Sequence, residues 1–592
     1  MSLRHALSVV SLVLLCACNR STAPALSAPA RDDTTPALFE LVEADMARVH
    51  NALAGKALLA DGSTLTCVKL VQMYQERIFA YNDAPQAAGP PVRGVLMLNP
   101  HALEQAAALD ELYAQDHGVG TRYLHCMPVL LKDNYDTYDH PSTQGSYSML
   151  GHQAGADAHS VEGLRSAGAL ILGKANQDEF AFFTSGFSDR AIQVGNAYNT
   201  AQSPAGSSSG TGASLAANFA LGGTGSDTCQ SIRHPSSVEG LVGIRPSLGV
   251  ISQHGIFPLS HARDTGGPMT RSVRDSALML TAMSGVDERD PKTLEFAQAA
   301  RPVSYEQFLD RGKYGVAGRK LGLLRSFGEA ATDADGDGAQ ATLIEAAATK
   351  LREMGAEVVD VTLPGFINRS AGSRHYDMND YFQQFEAGGG HSARRCVSSL
   401  LKGSSHGREA CLGLDGILEN TIRIGTRGFA LFATTATADP DMNASSEELQ
   451  AIVETRDYVT GVMDDLKLDA LILSPGPTGG RTCDLGSTTQ MGSIVVPVGF
   501  DDSVGVPRGM EIFVRRFDEG TGLGIAYDYE QATHHRAPPV LVPSPLTANA
   551  TLADFNARQQ QLLMSVTAVA PEDVPLAAYQ QALEAVVGPR NN

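Results

Sequence analysis

Short, almost uninterrupted apolar runs recur along the chain: Met127–Leu131 (MPVLL), Ala169–Leu172 (ALIL), Leu321–Leu324, Glu357–Val361, Ala470–Leu473 and Ser493–Val498 (SIVVPV). Runs that are apolar throughout, rather than at every second position, predict strands covered on both faces. Between them the period changes to that of a helix. Ser272–Met283 opens on a polar cap and carries Val273, Ala277, Leu278 and Leu280 on its apolar side, and Ala341–Met354 is a second helix of this kind. From about Ala37 onward the two patterns alternate with no abrupt shift in composition, no charge block and no long repeat. That predicts one large α/β domain over 37–592. From Phe366 to Ile452 the pattern is mostly helical and polar, broken at GGGH and KGSSHG, which predicts an insertion over about 366–452 covering one side of the sheet.

The first residues follow a different rule. MSLRHALSVVSLVLLCACNRS places Arg4 ahead of a mostly apolar run from Ala6 to Leu15, followed by small residues, the layout of an export signal. The run falls short of the ~20 apolar residues a spanning helix needs. Leu15-Cys16-Ala17-Cys18 resembles a bacterial lipobox, which implies a signal over 1–17, lipidation at Cys18, and an outer-membrane anchor facing the periplasm, since Asn19 stands where aspartate would favour inner-membrane retention. An ordinary secretory signal cleaved nearby is the plainer alternative. The stretch from Cys18 to Pro36, with STAPALSAPARDDTTP, has the composition of a disordered tether.

At 592 residues and 43% hydrophobic content the chain can bury a large core. Its 45 Lys and Arg against 65 Asp and Glu, a formal charge of −20, argue against a nucleic-acid partner, which requires a basic footprint. Of the eight cysteines, Cys67, Cys126, Cys229, Cys396, Cys411 and Cys483 remain beyond the signal, without CxxC or zinc spacing, so no structural metal is expected. Export permits disulfides, and Cys396 with Cys411 is the pair closest in sequence. DADGDG, from Asp333 to Gly338, begins like a calcium loop with Asp333, Asp335 and Asp337, but position twelve is Ile344 rather than glutamate, so a solvated turn before the Ala341 helix is expected.

The chemistry concentrates in PAGSSSGTGASLAANFALGGTGSDTCQSIRHPSS, residues 204–237. A glycine-serine linker has no reason to continue into ASLAANFALGGTGSD. Gly206 to Gly210 fits the GxSxG nucleophile elbow with Ser208 at its centre, but NAYNTAQSPA before it is polar, where an elbow needs a hydrophobic strand. Ser209–Phe219 suits a tightly packed helix, and Gly222, Gly223 and Gly225 allow close backbone approach. Ser231 then falls in a turn after a short strand, where its hydroxyl could face a substrate while neighbouring N–H groups converge on an oxyanion. A serine hydroxyl needs a base. His234 and His254 are near in sequence, and Lys132, at the end of an apolar strand, could lose proton affinity by desolvation.

Four stretches, LHCMPVLLKDN, GALILGKANQDEFA, SPAGSSSGTGASLAANFALGGTGSDTCQSIRHPSSVEGLVGIRPSLGVIS and DTGGPMTRSVRDSALML, occur in the order and spacing of the amidase signature family, which the chain resembles from about Ser63 to Asp287 and again at LDALILSPGPT, GSIVVPVGF and GLGIAYDYEQATHHRAPP. The resemblance implies a central mixed β-sheet with helices on both faces and a serine amidase without metal or cofactor. By position it puts the catalytic lysine on Lys132, the cis-peptide serine on Ser207 and the nucleophile on Ser231, with backbone N–H groups of Thr228, Cys229, Gln230 and Ser231 as the oxyanion hole. Asp227, Arg233 and Ser208 would support the loop. Two positions depart from the pattern: Cys229-Gln230 stands where Gly-Gly is usual before the nucleophile, and Cys126 where glycine is usual before Met127-Pro128.

Within the family the GSSSG stretch and export signal are most similar to bacterial peptide amidases, which remove C-terminal amide groups. The resemblance thus implies a peptide or small-molecule amide as substrate and a lipid anchor as the only membrane contact. Pocket-shaping segments are expected at Phe366–Ala436 and Pro475–Gln490. An esterase or lipid-amide hydrolase on the same fold, and an inactive binding lipoprotein, are the alternatives. A glutamine-dependent transamidase fits poorly with export, because its tRNA and partners are cytosolic.

Overall fold

The computed structural model describes residues 36 to 541 except 85–88, 147–148, 150–151, 189, 300, 328–331, 334–337, 476–480 and most of 367–445, where only Asp377, Tyr381, Gln384, His391 and Ser392 are described. The export signal with Cys18, the tether up to residue 35, the Cys396 and Cys411 pair, Asp335 and Asp337, and most of the 366–452 insertion lie outside the described residues.

The described strands of the main sheet are β1 (Val95–Leu98), β2 (Pro128–Lys132), β3 (Leu170–Ala175), β4 (Gly222–Asp227), β5 (Val242–Arg245), β6 (Thr265–Thr270), β7 (Lys320–Phe327), β8 (Thr332–Asp333), β9 (Glu357–Leu363), β10 (Ala470–Leu473), β11 (Gly492–Asp501) and β12 (Val506–Val514). They pair in the order β8-β7-β10-β12-β11-β5-β6-β4-β2-β3-β1, with β9 beside β7. The sheet is mixed: β2 runs parallel to β3 and β4, while β6 lies antiparallel to β4 and β5. All six sequence-predicted strands are present, with ends shifted by a few residues.

Burial on both faces explains the unbroken apolar runs. In β10, Ala470 and Ile472 join one hydrophobic cluster while Leu471 and Leu473 join another, and in β7 Leu321 and Leu323 are separated in the same way from Leu324. The predicted helices form over Val273–Met283, capped by Ser272 Oγ accepting from Asp275 N, and Gly338–Glu353. Gly338 therefore opens that helix, and Ile344 is wholly buried within it, so position twelve of the calcium-like motif is core. Among the described residues no helix is long and apolar enough to cross a membrane.

A disulfide that sequence spacing did not suggest joins Cys67, the first residue of helix α1 (Cys67–Tyr81), to Cys126, 59 positions later and just before β2. Cys126 takes a left-handed φ of 64°, the region glycine tolerates best, which is the physical reason a glycine suits this position; here a bridge holds the cysteine in it. Cys67, His125 and Cys126 gather within 4.8 Å, but the bridge occupies both thiols. Closing a 59-residue loop removes chain entropy from the unfolded state worth about 4 kcal/mol in the simplest treatment. The double variant Cys67→Ser, Cys126→Gly is expected to lose about 2–4 kcal/mol of that, with glycine relieving part of the backbone cost, as read by urea unfolding under oxidising conditions. An unfolding midpoint equal to wild type would refute a stabilising role for the bridge.

Candidate active site

Three neighbouring segments build the site. β2 delivers Lys132 at its C-terminal end, the loop before α2 (Ser209–Ala216) delivers Ser207, and the turn between β4 and α3 (Arg233–Val238) delivers Ser231. The Gly206–Ser207 peptide is cis. Ser208 precedes α2 with its Oγ directed at the Ser226 carbonyl at 3.4 Å and its N–H donated to the Ser231 carbonyl at 3.2 Å, so it links the two serine segments. Since a loop rather than a hydrophobic strand precedes it, the elbow pattern at Gly206 to Gly210 is coincidental.

The glycines of β4 allow this convergence. A Cβ on Gly225 would stand 2.6 Å from Ile232 Cγ1 and 2.9 Å from Ser208 Oγ, and one on Gly223 would stand 2.9 Å from the Leu130 carbonyl. Any side chain there would push α2 or β2 away from the strand. Thr211 Oγ1 donates to the Thr224 carbonyl at 2.9 Å and Lys132 N to Thr224 Oγ1 at 3.1 Å, fastening both neighbours to β4.

Lys132 is fully buried. Its Nζ lies 2.8 Å from Ser207 Oγ, 2.9 Å from Ser226 Oγ and 3.2 Å from the Ser226 carbonyl, and Asn134 Nδ2 donates to the same Ser226 Oγ at 2.9 Å. Burial pulls the Lys132 pKa down to about 7, against carboxylates of Asp178, Asp227 and Asp264 that raise it. Neither candidate histidine reaches the serines by hydrogen bond: His254 Nδ1 meets Gln384 Oε1 at 3.0 Å, and His234 is a buried residue of α3 whose pKa burial lowers to about 4. Lysine is therefore the base candidate the fold brings to the serines.

The turn from Thr228 to Ser231 is held from below by charge. Asp227 Oδ2 accepts from Ile232 N at 3.0 Å and from Arg233 Nε at 3.2 Å, and its Oδ1 accepts from Arg245 NH1 at 2.9 Å. Burial by itself would raise the Asp227 pKa, but the two guanidinium groups outweigh it and hold it at about 2. Arg233 also pairs with Glu511 of β12 at 2.8 Å and donates to the Cys229 carbonyl. With carbonyl oxygens so engaged, the backbone N–H groups of Thr228, Gln230 and Ser231 have no protein acceptor among the described residues. They are free to meet an oxyanion. Cys229 is itself disulfide-bonded, so its side chain neither crowds the loop as a free thiol nor points away unattached. No hydrogen bond joins Ser231 Oγ to Ser207 Oγ among the described residues.

Sequence reasoning missed Ser226, Asn134, Arg245 and Glu511. Ser226 and Thr224 do alternate along β4, and Asn134 follows Lys132 by two, which are weak signals. Arg245 and Glu511 reach the turn from distant strands and leave no local trace.

Comparison with known proteins agrees with this geometry. The family described as Amidase matches residues 70–372. A probable amidase of Arabidopsis thaliana is 31% identical over 81% of this chain and 89% of its own length. Among solved structures, the native peptide amidase of Stenotrophomonas maltophilia aligns with a TM-score of 0.69 and 30% identity over 85% of this chain and 99% of that one. An amidase family protein from Bacillus anthracis aligns with a TM-score of 0.68 and 27% identity over 85% of this chain and 93% of that one. A buried lysine beside a serine pair, on a mixed sheet shared with those proteins, thus places the chain in the amidase signature family, as a hydrolase acting on amides.

Proposed function

We propose that the protein cleaves carboxamides through an acyl-enzyme, with Ser231 as nucleophile, Ser207 as proton carrier and Lys132 as base. The observation that carries this reading is the wholly buried amine 2.8 Å from Ser207 Oγ. A neutral amine has two N–H groups, enough for the carbonyl and hydroxyl of Ser226, and one lone pair, left for the Ser207 hydroxyl. Ser207 then takes the Ser231 proton as Ser231 Oγ attacks the amide carbon, and the N–H groups of the turn receive the oxygen charge. The proton returns along the same path to the departing amine or ammonia, and water, activated in the same way, releases the acid.

The substrate class we infer is the terminal carboxamide of a peptide, by similarity to the Stenotrophomonas maltophilia peptide amidase. A lipid tether through Cys18, holding the enzyme at the bacterial envelope on its periplasmic side, is part of the same proposal and rests on the sequence signal alone.

Hydrolysis of a panel of peptide amides and simple amides, read by ammonia release, and of matched esters, read by release of the acid, all on protein lacking the first 18 residues, is expected to favour peptide amides and to vanish in Ser231→Ala and Lys132→Met. Activity persisting in Ser231→Ala would overturn the mechanism, and ester cleavage with no amide cleavage would overturn the substrate class. Because Lys132 acts only when neutral, kcat/KM should be level above its pKa of about 7 and fall about tenfold per pH unit below it. A pH profile without a limb near neutrality would exclude this lysine as base. A Cβ on Gly206 would stand 2.0 Å from Asp178 Oδ2, whose carboxylate is fixed by Ser185 N and Gly186 N at 2.8 and 3.0 Å. Gly206→Ala must therefore displace Ser207, and a shift of about 1 Å is expected to lower kcat by about 100-fold while circular dichroism remains native. Unchanged kcat would show that Ser207 needs no such placement.

A further inference from the structure

An open cleft of about 670 Å³ is lined by residues that include none of Lys132, Ser207 and Ser231. One wall is the helix Ser446–Asp465, which turns Leu449, Ile452, Val453 and Arg456 onto a single face by their spacing of three and four. Leu449 and Val453 are 45% and 43% exposed, unusual for neighbouring aliphatic side chains on one helical face. Arg289, Lys292 and Arg516, with Asp290 and Glu295, also line the cleft.

The charges of this cleft do not cancel. Lys292 pairs with Asp290 at 3.1 Å, Arg516 with Glu295 at 2.6 Å, and Arg289 with Asp287 at 2.7 Å. Arg456 is left over: its NH1 donates to Gln490 Oε1 at 3.3 Å, and among the described residues no carboxylate lies within ion-pair distance of it. Half-buried beside Arg516, its cation is disfavoured first by desolvation and then by that neighbouring charge. Arg516 Nε is also buried without a hydrogen-bond partner. Arg456 and Arg516 thus line the same cleft as the exposed Leu449 and Val453, with Arg456 bound to no carboxylate among the described residues.

We propose that this cleft is a second binding site, separate from the serine centre, for a small aliphatic carboxylate. Its carboxylate bridges Arg456 and Arg516, and its hydrocarbon tail covers Leu449, Ile452 and Val453. A guanidinium pair suits the planar, two-oxygen geometry of a carboxylate, and the aliphatic strip distinguishes such a ligand from a purely inorganic anion. The proposal does not depend on the catalytic mechanism, since none of these residues touches Lys132, Ser207 or Ser231.

Isothermal titration of the Ser231→Ala protein with octanoate, octanamide and inorganic phosphate tests it. Octanoate should bind, while octanamide, lacking the charge, and phosphate, lacking the tail, should each bind roughly tenfold more weakly or not at all. Octanoate affinity should fall by a similar factor in Arg456→Gln and in Val453→Asp, with amide hydrolysis by the Arg456→Gln form of the active enzyme unchanged. Equal octanoate affinity in the Arg456→Gln protein would place the ligand elsewhere, in the serine pocket for instance, and overturn the proposal. So would octanamide binding as tightly as octanoate, phosphate binding as tightly as octanoate, or no binding of any probe.

Discussion

Stripping water from the Lys132 amine sets the terms for everything around it. An ammonium there would find three acceptors, two Ser226 oxygens and the Ser207 hydroxyl, but no anion in contact, since the carboxylates of Asp178, Asp227 and Asp264 act only through space. The cheapest resolution is to give up the proton, which leaves a neutral amine within reach near neutral pH, as the proposed base requires. The surrounding packing serves to keep that amine dry: β2 is buried along its whole length between β3 and β4, and β4 comes close enough to seal it because it carries glycine at the contact positions.

The charged cluster beneath the Ser231 turn plays a complementary part. Asp227, Arg233, Arg245 and Glu511 are all fully buried and their formal charges cancel. Such a cluster is weak evidence for stability, because desolvation offsets most of its attraction, but it fixes geometry strongly since each guanidinium has few orientations that satisfy both partners. Here the geometry concerned is that of a turn whose side chains do no chemistry of their own apart from Ser231. The turn that carries Cys229 and Gln230 is held by carbonyl and carboxylate contacts from below, through Arg233 on the Cys229 carbonyl and Asp227 on Ile232 N.

Six sheet strands were legible from continuous apolar runs, because burial on both faces removes alternation and leaves a plain signal, although β1, the equally apolar VLML at Val95–Leu98, was not among those read. β4 was the instructive exception. GGTGSD has almost no intrinsic strand preference, yet it pairs with β2 on one side and β6 on the other, since what the position demands is thinness rather than propensity. The motifs pointed to Lys132 and Ser207, which the fold brings to 2.8 Å of each other, and to Ser231 in the turn after β4. Ser226, Arg245 and Glu511 were not, because their roles arise from register between strands far apart in the chain. The Cys67–Cys126 bridge was hidden for the same reason, its ends standing 59 positions apart.

The thinness of β4 also bears on how such an enzyme can diversify. At Gly222, Gly223 and Gly225 the middle of the sheet has no side chain to exchange, and a Cβ at each would lie 2.7 Å or less from a neighbouring side chain. Mutation can therefore explore new substrates only through parts that drape over the sheet, leaving the strand beneath Lys132 untouched. A lineage built on this plan would be expected to vary widely at its rim and hardly at all along its axis, an inheritance set by the absence of side chains rather than by the chemistry of those present.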